Sequence, residues 1–191
     1  MNILSAEKKL LLTEAVKANC LTYGDFPLSG GGRSHYFIDG SKLWTAEGLH
    51  LVVECLWEVL QPLPHQIGGP SVGADPIVGG MLLMTRMRGQ SLNGFVVKKD
   101  GSVEGVLKPG QPLDAWPTFR TVIVEDVVTT GTQVDRAAQA AEWYGATITG
   151  VVALVDREAG AGRLLERWNY YPLLSVYDLG IMPAADPQKA E

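Results

Sequence analysis

The chain has 191 residues, 46% of them hydrophobic and 19% charged, with a formal net charge of −5. This length and composition suit one domain with a full core and exclude a disordered chain. Nucleic acid is not an expected partner, because non-specific binding to it draws on Lys and Arg displacing counterions. Nor is a membrane, because no apolar run reaches the length of a span. Cys20 and Cys55 lie in apolar helical patterns without CxxC or Cys/His spacing, which reads as buried thiols rather than a disulfide or a metal site. The amino terminus lacks the basic-then-apolar pattern of a signal peptide, so a cytoplasmic protein is expected.

Taken in chain order, Ser5 is placed to cap a helix running to about Asn19, with Leu11, Ala15 and Ala18 as its apolar stripe. The stretch "LSGGGRSHYFIDGSK" follows, opened by a glycine cluster and containing the aromatic pair Tyr36–Phe37. A second helix spans about Ala46 to Leu60, with Leu49, Val52, Val53, Leu56 and Leu60 on one face, and "QPLP" ends it. Short β-prone and helical segments then alternate. "QIGG" precedes "SVGADPIVGGMLLMTRM", and "GFVVKK" precedes a polar, Gly-rich stretch from Asp100 to about Pro117. "TVIVE" precedes a helix near Thr132–Tyr144 whose buried stripe is Val134, Ala137, Ala138, Ala141 and Tyr144. "TITGVVALV" precedes "REAGAGRLLERW", and "LLSVYDL" comes last. Strands alternating with helices imply parallel pairing. The unbroken apolar runs "TVIV" and "VVALV" suit central strands covered on both faces. The expected fold is α/β: one doubly wound, mainly parallel sheet flanked by helices with a small N-terminal cap. Residues 1–191 form a single domain in this reading, with the cap over about 1–44, the α/β core over about 45–180 and a tail over 181–191. Ligands of such sheets collect beyond the carboxyl ends of the strands, where the strand order switches.

One strand end stands out. "VIVEDVVTTGTQ" closes a buried strand on Glu125–Asp126 and then turns through Thr129, Thr130, Gly131 and Thr132 into a helix. Two buried acids without partners are costly, which points to a ligand. Hydroxyls beside unpaired helix N-terminal amides suit a phosphate, and Gly131 permits close backbone approach. The acids would repel a phosphate but accept hydrogen bonds from sugar hydroxyls or from the waters of hydrated Mg²⁺. A phosphorylated sugar satisfies the whole element. A strand-end acid pair with a Thr cap is the plainer meaning of "TTGT" alone; the full string is far more restrictive.

The string "VIVEDVVTTGT" resembles the phosphoribosyl-pyrophosphate (PRPP) motif of type I phosphoribosyltransferases. The wider likeness, from about Tyr23 to Leu179, is to their orotate branch. "SGGGRSHYFIDGSK" resembles its base-binding loop, "IGGPSVGADPI" its pyrophosphate-contacting loop, "FVVKKD" the start of its mobile catalytic loop, and "ALVDRE" the strand that delivers a base-contacting arginine. The resemblance implies transfer of the phosphoribosyl group of PRPP to orotate, giving orotidine 5′-phosphate and pyrophosphate. It implies Mg²⁺ carried by PRPP and water rather than by direct protein ligands, and a homodimer whose mobile loops serve the neighbouring subunit. Asp126, Lys98 and Lys99 would be catalytic. Glu125, Asp126, Val127, Val128, Thr129, Thr130, Gly131, Thr132 and Gln133, with Val72 and Gly73, would bind PRPP. Phe37, Ile38, Thr129 and Arg157 would contact the base. Arg157, following an apolar strand, has the planar guanidinium that pairs with a carboxylate or carbonyl, although Asp156 and Glu158 are rival partners.

The sequence also departs from the family pattern. Ser102 stands where a loop lysine is expected and Glu104 where a histidine is expected. Lys98 replaces a usual arginine, and Ser29 and Gly73 occupy commonly basic positions. No Lys, Arg or His lies between Lys99 and Lys108, so only Lys108 could be recruited. Departing pyrophosphate gathers negative charge, and losing one preorganised donor there costs about 3 kcal/mol, roughly a hundredfold in rate. A slow enzyme, transfer to a different base, and a non-catalytic PRPP- or nucleotide-binding regulator are the readings left open.

Overall fold

The computed structural model describes residues 1–27, 33–107 and 119–182. Ser29, Lys108 and the tail from residue 183 onward, all weighed above, lie outside the described residues.

Helix α1 (Ala6–Asn19) buries Leu12, Thr13 and Val16, while Leu11 and Ala18 face solvent. The stripe is therefore one residue away from the expected one. Three consecutive leucines at 10–12 leave its phase ambiguous, and packing selects Leu12 and Val16 for the core shared with the next helix. Each such burial is worth about 1.5–3 kcal/mol. Ser5 precedes α1 without a side-chain cap; its amide instead donates to Glu58 Oε1 at 2.6 Å. Strands β1 (Leu21–Pro27) and β2 (Arg33–Ile38) form a separate antiparallel pair with a register shift between Tyr23 and Phe26. Helix α2 (Ala46–Val59) is capped by Thr45, whose hydroxyl accepts from Gly48 N at 3.0 Å.

The main sheet contains β3 (Gln66–Pro70), β4 (Asn93–Val97), β5 (Val103–Gly105), β6 (Arg120–Val128), β7 (Thr147–Asp156) and β8 (Tyr170–Ser175). Its order is β5-β4-β3-β6-β7-β8, with β5 antiparallel to β4 and the other pairs parallel. Helices α3 (Asp75–Met87), α4 (Thr132–Trp143) and α5 (Ala161–Leu165) complete the domain. Val122, Val124, Val152 and Leu154 face the core of α1, α2 and α3; Ile123, Val151 and Ala153 face α4 and α5. Both faces are dry, which is why these strands read as unbroken apolar runs. The doubly wound α/β expectation matches the observed sheet. Two details differ: β5 occupies part of the stretch read only as polar and Gly-rich, and Tyr144 ends α4 43% exposed rather than buried.

The chain leaves β3 through α3 toward β4 on one side, and leaves β6 through α4 toward β7 on the other. The strand order thus reverses between β3 and β6, and the ends of these two strands flank the crevice where such sheets bind ligands. Among the described residues no helix is long and apolar enough to cross a membrane. Both cysteines are buried free thiols.

Candidate functional site

Glu125 and Asp126 lie within β6, whose pairing with β7 continues through Val127 and Val128. The strand therefore runs two residues past the acids instead of ending on them. Asp126 Oδ1 accepts from Val127 N at 2.7 Å, and Glu125 Oε1 accepts from Asp126 N at 3.0 Å. Among the described residues no cation forms a salt bridge with either acid. Burial, followed by repulsion from Asp126, holds the Glu125 carboxyl well above the ordinary carboxylate range.

Two chain-distant loops converge on Asp126. A Cβ built on Gly40, just after β2, would lie under 3.0 Å from the Asp126 carboxylate. One built on Gly73, in the turn after β3, would lie as close to both acids. Side chains are excluded there because backbone already approaches the carboxylates. In that second turn the Ser71–Val72 peptide is cis, Ser71 Oγ donates to Asp75 Oδ2 at 2.8 Å, and Val72 is 60% exposed. Asp75 Oδ1 is buried without a hydrogen-bond partner among the described residues.

Beyond β6, Gly131 takes a left-handed conformation (φ 83°) and opens α4. Thr129, Thr130, Thr132 and Gln133 are exposed around it, with the Thr130 and Thr132 hydroxyls 3.0 Å apart. The amides of Thr132, Gln133 and Val134 have no carbonyl four residues back within the helix, so they remain available to an anion.

On the other side, Arg157 follows β7, and its amide donates to Val128 O at 2.9 Å. Its Nη2 donates to Ser34 Oγ at 3.2 Å, and its guanidinium carbon lies 4.8 Å from the centroid of the Tyr36 ring. The rival ion pairs with Asp156 and Glu158 do not form; Asp156 instead accepts from Glu158 N at 2.7 Å. Arg157 Nε is buried and has no hydrogen-bond partner among the described residues. An acceptor from a ligand would relieve that donor. Alternation along β2 turns Ser34, Tyr36 and Ile38 inward and Arg33, His35 and Phe37 outward. Arg157 is thus brought together with Tyr36, not with Phe37, which packs on Phe26 at 5.6 Å. Ile38 sends its side chain into the core, leaving only its backbone for a base.

The segment after β4 is a tight hairpin. Lys98 N donates to Ser102 O at 2.9 Å, and Asp100 Oδ1 accepts from the Ser102 amide and hydroxyl at 2.9 and 2.7 Å. Glu104 hydrogen-bonds and ion-pairs with Lys98, and that hydrogen bond raises the lysine's pKa. Glu104 is therefore the ion-pair partner of one of the cations assigned to pyrophosphate. A cleft of about 310 Å³ lies between this hairpin and α4, lined by Ser71, Lys98, Lys99, Gln133 and Arg136 among others. Sequence reasoning misses Ser34, Gly40 and Arg136. Arg136 follows Gln133 at the i, i+3 spacing of one helix face, which was the only available signal.

No protein-family model matches the chain. The chain is 32% identical over 191 residues to the orotate phosphoribosyltransferase of Aquifex aeolicus, covering 94% of this chain and 98% of the relative. With the Pyrococcus furiosus orotate phosphoribosyltransferase it shares 34% over 181 residues, covering 90% and 94%. The solved Mycobacterium tuberculosis H37Rv orotate phosphoribosyltransferase in complex with PRPP superposes with a TM-score of 0.75 at 26% identity, covering 91% of this chain and 99% of that one. A strand-borne acid pair, a Thr/Gly turn and a base-side arginine around one switch point thus accompany 32–34% identity to orotate phosphoribosyltransferases over most of the chain: the chain belongs to the orotate phosphoribosyltransferase family.

Proposed function

We propose that this chain transfers the 5-phosphoribosyl group of PRPP to orotate, releasing pyrophosphate and forming orotidine 5′-phosphate for pyrimidine nucleotide synthesis in the cytoplasm. The observation that carries this reading is Asp126: a carboxylate that no cation among the described residues pairs with, enclosed by the Gly40 and Gly73 backbones, beside an exposed Thr/Gly helix start. The solved relative in complex with PRPP supports the same substrate here.

In this reading Asp126 and Glu125 hold the ribose hydroxyls, and Val127 to Gln133 surround the 5′-phosphate. Val72 and Gly73 flank the diphosphate. Arg157 receives an orotate oxygen, with Ser34 orienting its guanidinium and Tyr36 stacked on it. Thr129 and the Ile38 backbone complete the base side, and Phe37 is left to its packing on Phe26. The base N1–C1′ bond forms as the C1′–oxygen bond to pyrophosphate breaks, and the electron pair departs with that oxygen. Positive charge builds on the ribose, as in glycosidic cleavage, and the Asp126 carboxylate favours it. Among the described residues no three His, Cys, Asp or Glu side chains are grouped to hold a metal. A hydrated Mg²⁺ carried by the diphosphate, its waters donating to Asp126, fits this donor set. The ion would offset the diphosphate charge. A homodimer is part of the proposal, and light scattering would read it.

The test is the time course of orotate absorbance with PRPP and Mg²⁺. Loss of absorbance with formation of orotidine 5′-phosphate is expected. Turnover of another base alone would reassign the acceptor, and saturable PRPP binding without turnover on any base would make the chain a regulator. The Lys98–Glu104 pair is the observation that favours this second reading.

A further inference from the structure

We propose that Arg136, together with Lys99, binds the diphosphate end of PRPP and the departing pyrophosphate, taking over the charge that the loop after β4 does not supply. The proposal rests on the phosphoribosyl-transfer reading above, and it names a residue outside the motifs that carried that reading.

The argument begins with what the hairpin lacks. Ser102 is spent on Asp100, Glu104 is acidic, and Lys98 is ion-paired with Glu104. Lys99 and Arg136 are both exposed, and neither forms a salt bridge among the described residues. They line the same cleft, opposite one another on the hairpin and on the second turn of α4. At about 310 Å³ the cleft is at the small end of ligand pockets. With Lys98 paired to Glu104, the lining keeps two cations outside any salt bridge among the described residues, Lys99 and Arg136, against one carboxylate, Asp100.

Position then selects the ligand. In the sheet order the ribose-facing acids are on β6, the base-side Arg157 follows β7, and the cleft opens beyond β3 and β4 on the opposite side. In a displacement at C1′ the entering base and the leaving group occupy opposite faces of the sugar. A leaving group opposed to Arg157 thus emerges past Ser71 into the cleft. Gln133 lines the cleft and also closes the Thr/Gly turn, so the two anion positions are contiguous. A guanidinium presents paired N–H donors that match two phosphate oxygens at once, which a lysine cannot do.

The experiment measures pyrophosphate binding by titration calorimetry on the full chain, alongside steady-state kinetics with PRPP and orotate. Arg136→Gln is expected to weaken pyrophosphate about tenfold or more, as losing hydrogen bonds to a charged group does. It should also lower kcat while leaving the KM for orotate unchanged. Arg136→Lys should restore part of the affinity, and Glu104→Gln, which frees Lys98, should tighten pyrophosphate. Arg136 is exposed, so the variants keep the fold; circular dichroism checks this. Pyrophosphate affinity of Arg136→Gln within about twofold of the unsubstituted chain overturns the proposal, as does a chain that binds no pyrophosphate. Orotate turnover with an indifferent Arg136 sinks this subsite and leaves the activity standing. Arg136-dependent pyrophosphate binding without turnover on orotate does the reverse.

Discussion

A carboxylate with no cation of its own keeps acceptor lone pairs for a ligand, and among the described residues Asp126 is in that condition, accepting from the Val127 amide. Asp126→Asn keeps the shape and removes the charge. It should weaken PRPP binding about tenfold or more, since hydrogen bonds to charged groups are the strong ones. Calorimetry would show this, and an unchanged affinity would dismiss the ribose role. Glu125 behaves differently. Its pKa in the folded chain is raised above the ordinary value, first by burial and then by Asp126. The folded state therefore binds the proton more tightly than the unfolded state. Stability should fall as pH rises from the ordinary glutamate pKa through the raised folded value, with the full loss present above it. Glu125→Gln should abolish that decline and raise the melting temperature at neutral pH, as read by thermal unfolding across a pH series.

Arg157 belongs to the scale of elements, because it joins the end of β7 to the β1–β2 hairpin through Ser34 and Tyr36. Arg157→Gln should raise the KM for orotate by about tenfold, with little change in PRPP affinity; a change confined to PRPP would place the base elsewhere. At this scale the sequence is unevenly legible. Strands β6 and β7 were visible because both faces are covered and their residues are uniformly apolar. The β1–β2 pair was not, because Gly24 and Asp25 fall at its register shift and its residues are mostly exposed. The motif around Glu125–Asp126 announced a ligand through chemistry that a strand would otherwise avoid. The Lys98–Glu104 pair required the hairpin turn to bring them together, and no local pattern predicts that turn. Arg136 carries no motif of its own, and the packing of α4 beside β4 is what gives it a cleft to line. Tyr36 and Phe37 were adjacent in sequence and, for that reason, opposite in the strand.

For the whole molecule the decisive feature is the reversal of strand order between β3 and β6. It brings residues 34–40, 71–75, 125–133 and 157 to one rim although long stretches of chain separate them. A ligand seated there ties the hairpin, the β3 turn and the α4 start to one another. PRPP at about one hundred times its dissociation constant should therefore stabilise the fold by about 2.7 kcal/mol. A rise in melting temperature that tracks PRPP concentration would be the sign, and its absence would mean that no such ligand is held. Gly40 and Gly73 give this assembly a particular vulnerability. Neither bears a functional group, yet each occupies a place where any added carbon would strike an acid oxygen. The socket is thus shaped by missing atoms. A saturation mutagenesis screen for activity would mark these two positions as intolerant as Asp126 itself, and would invite them to be mistaken for participants in the chemistry.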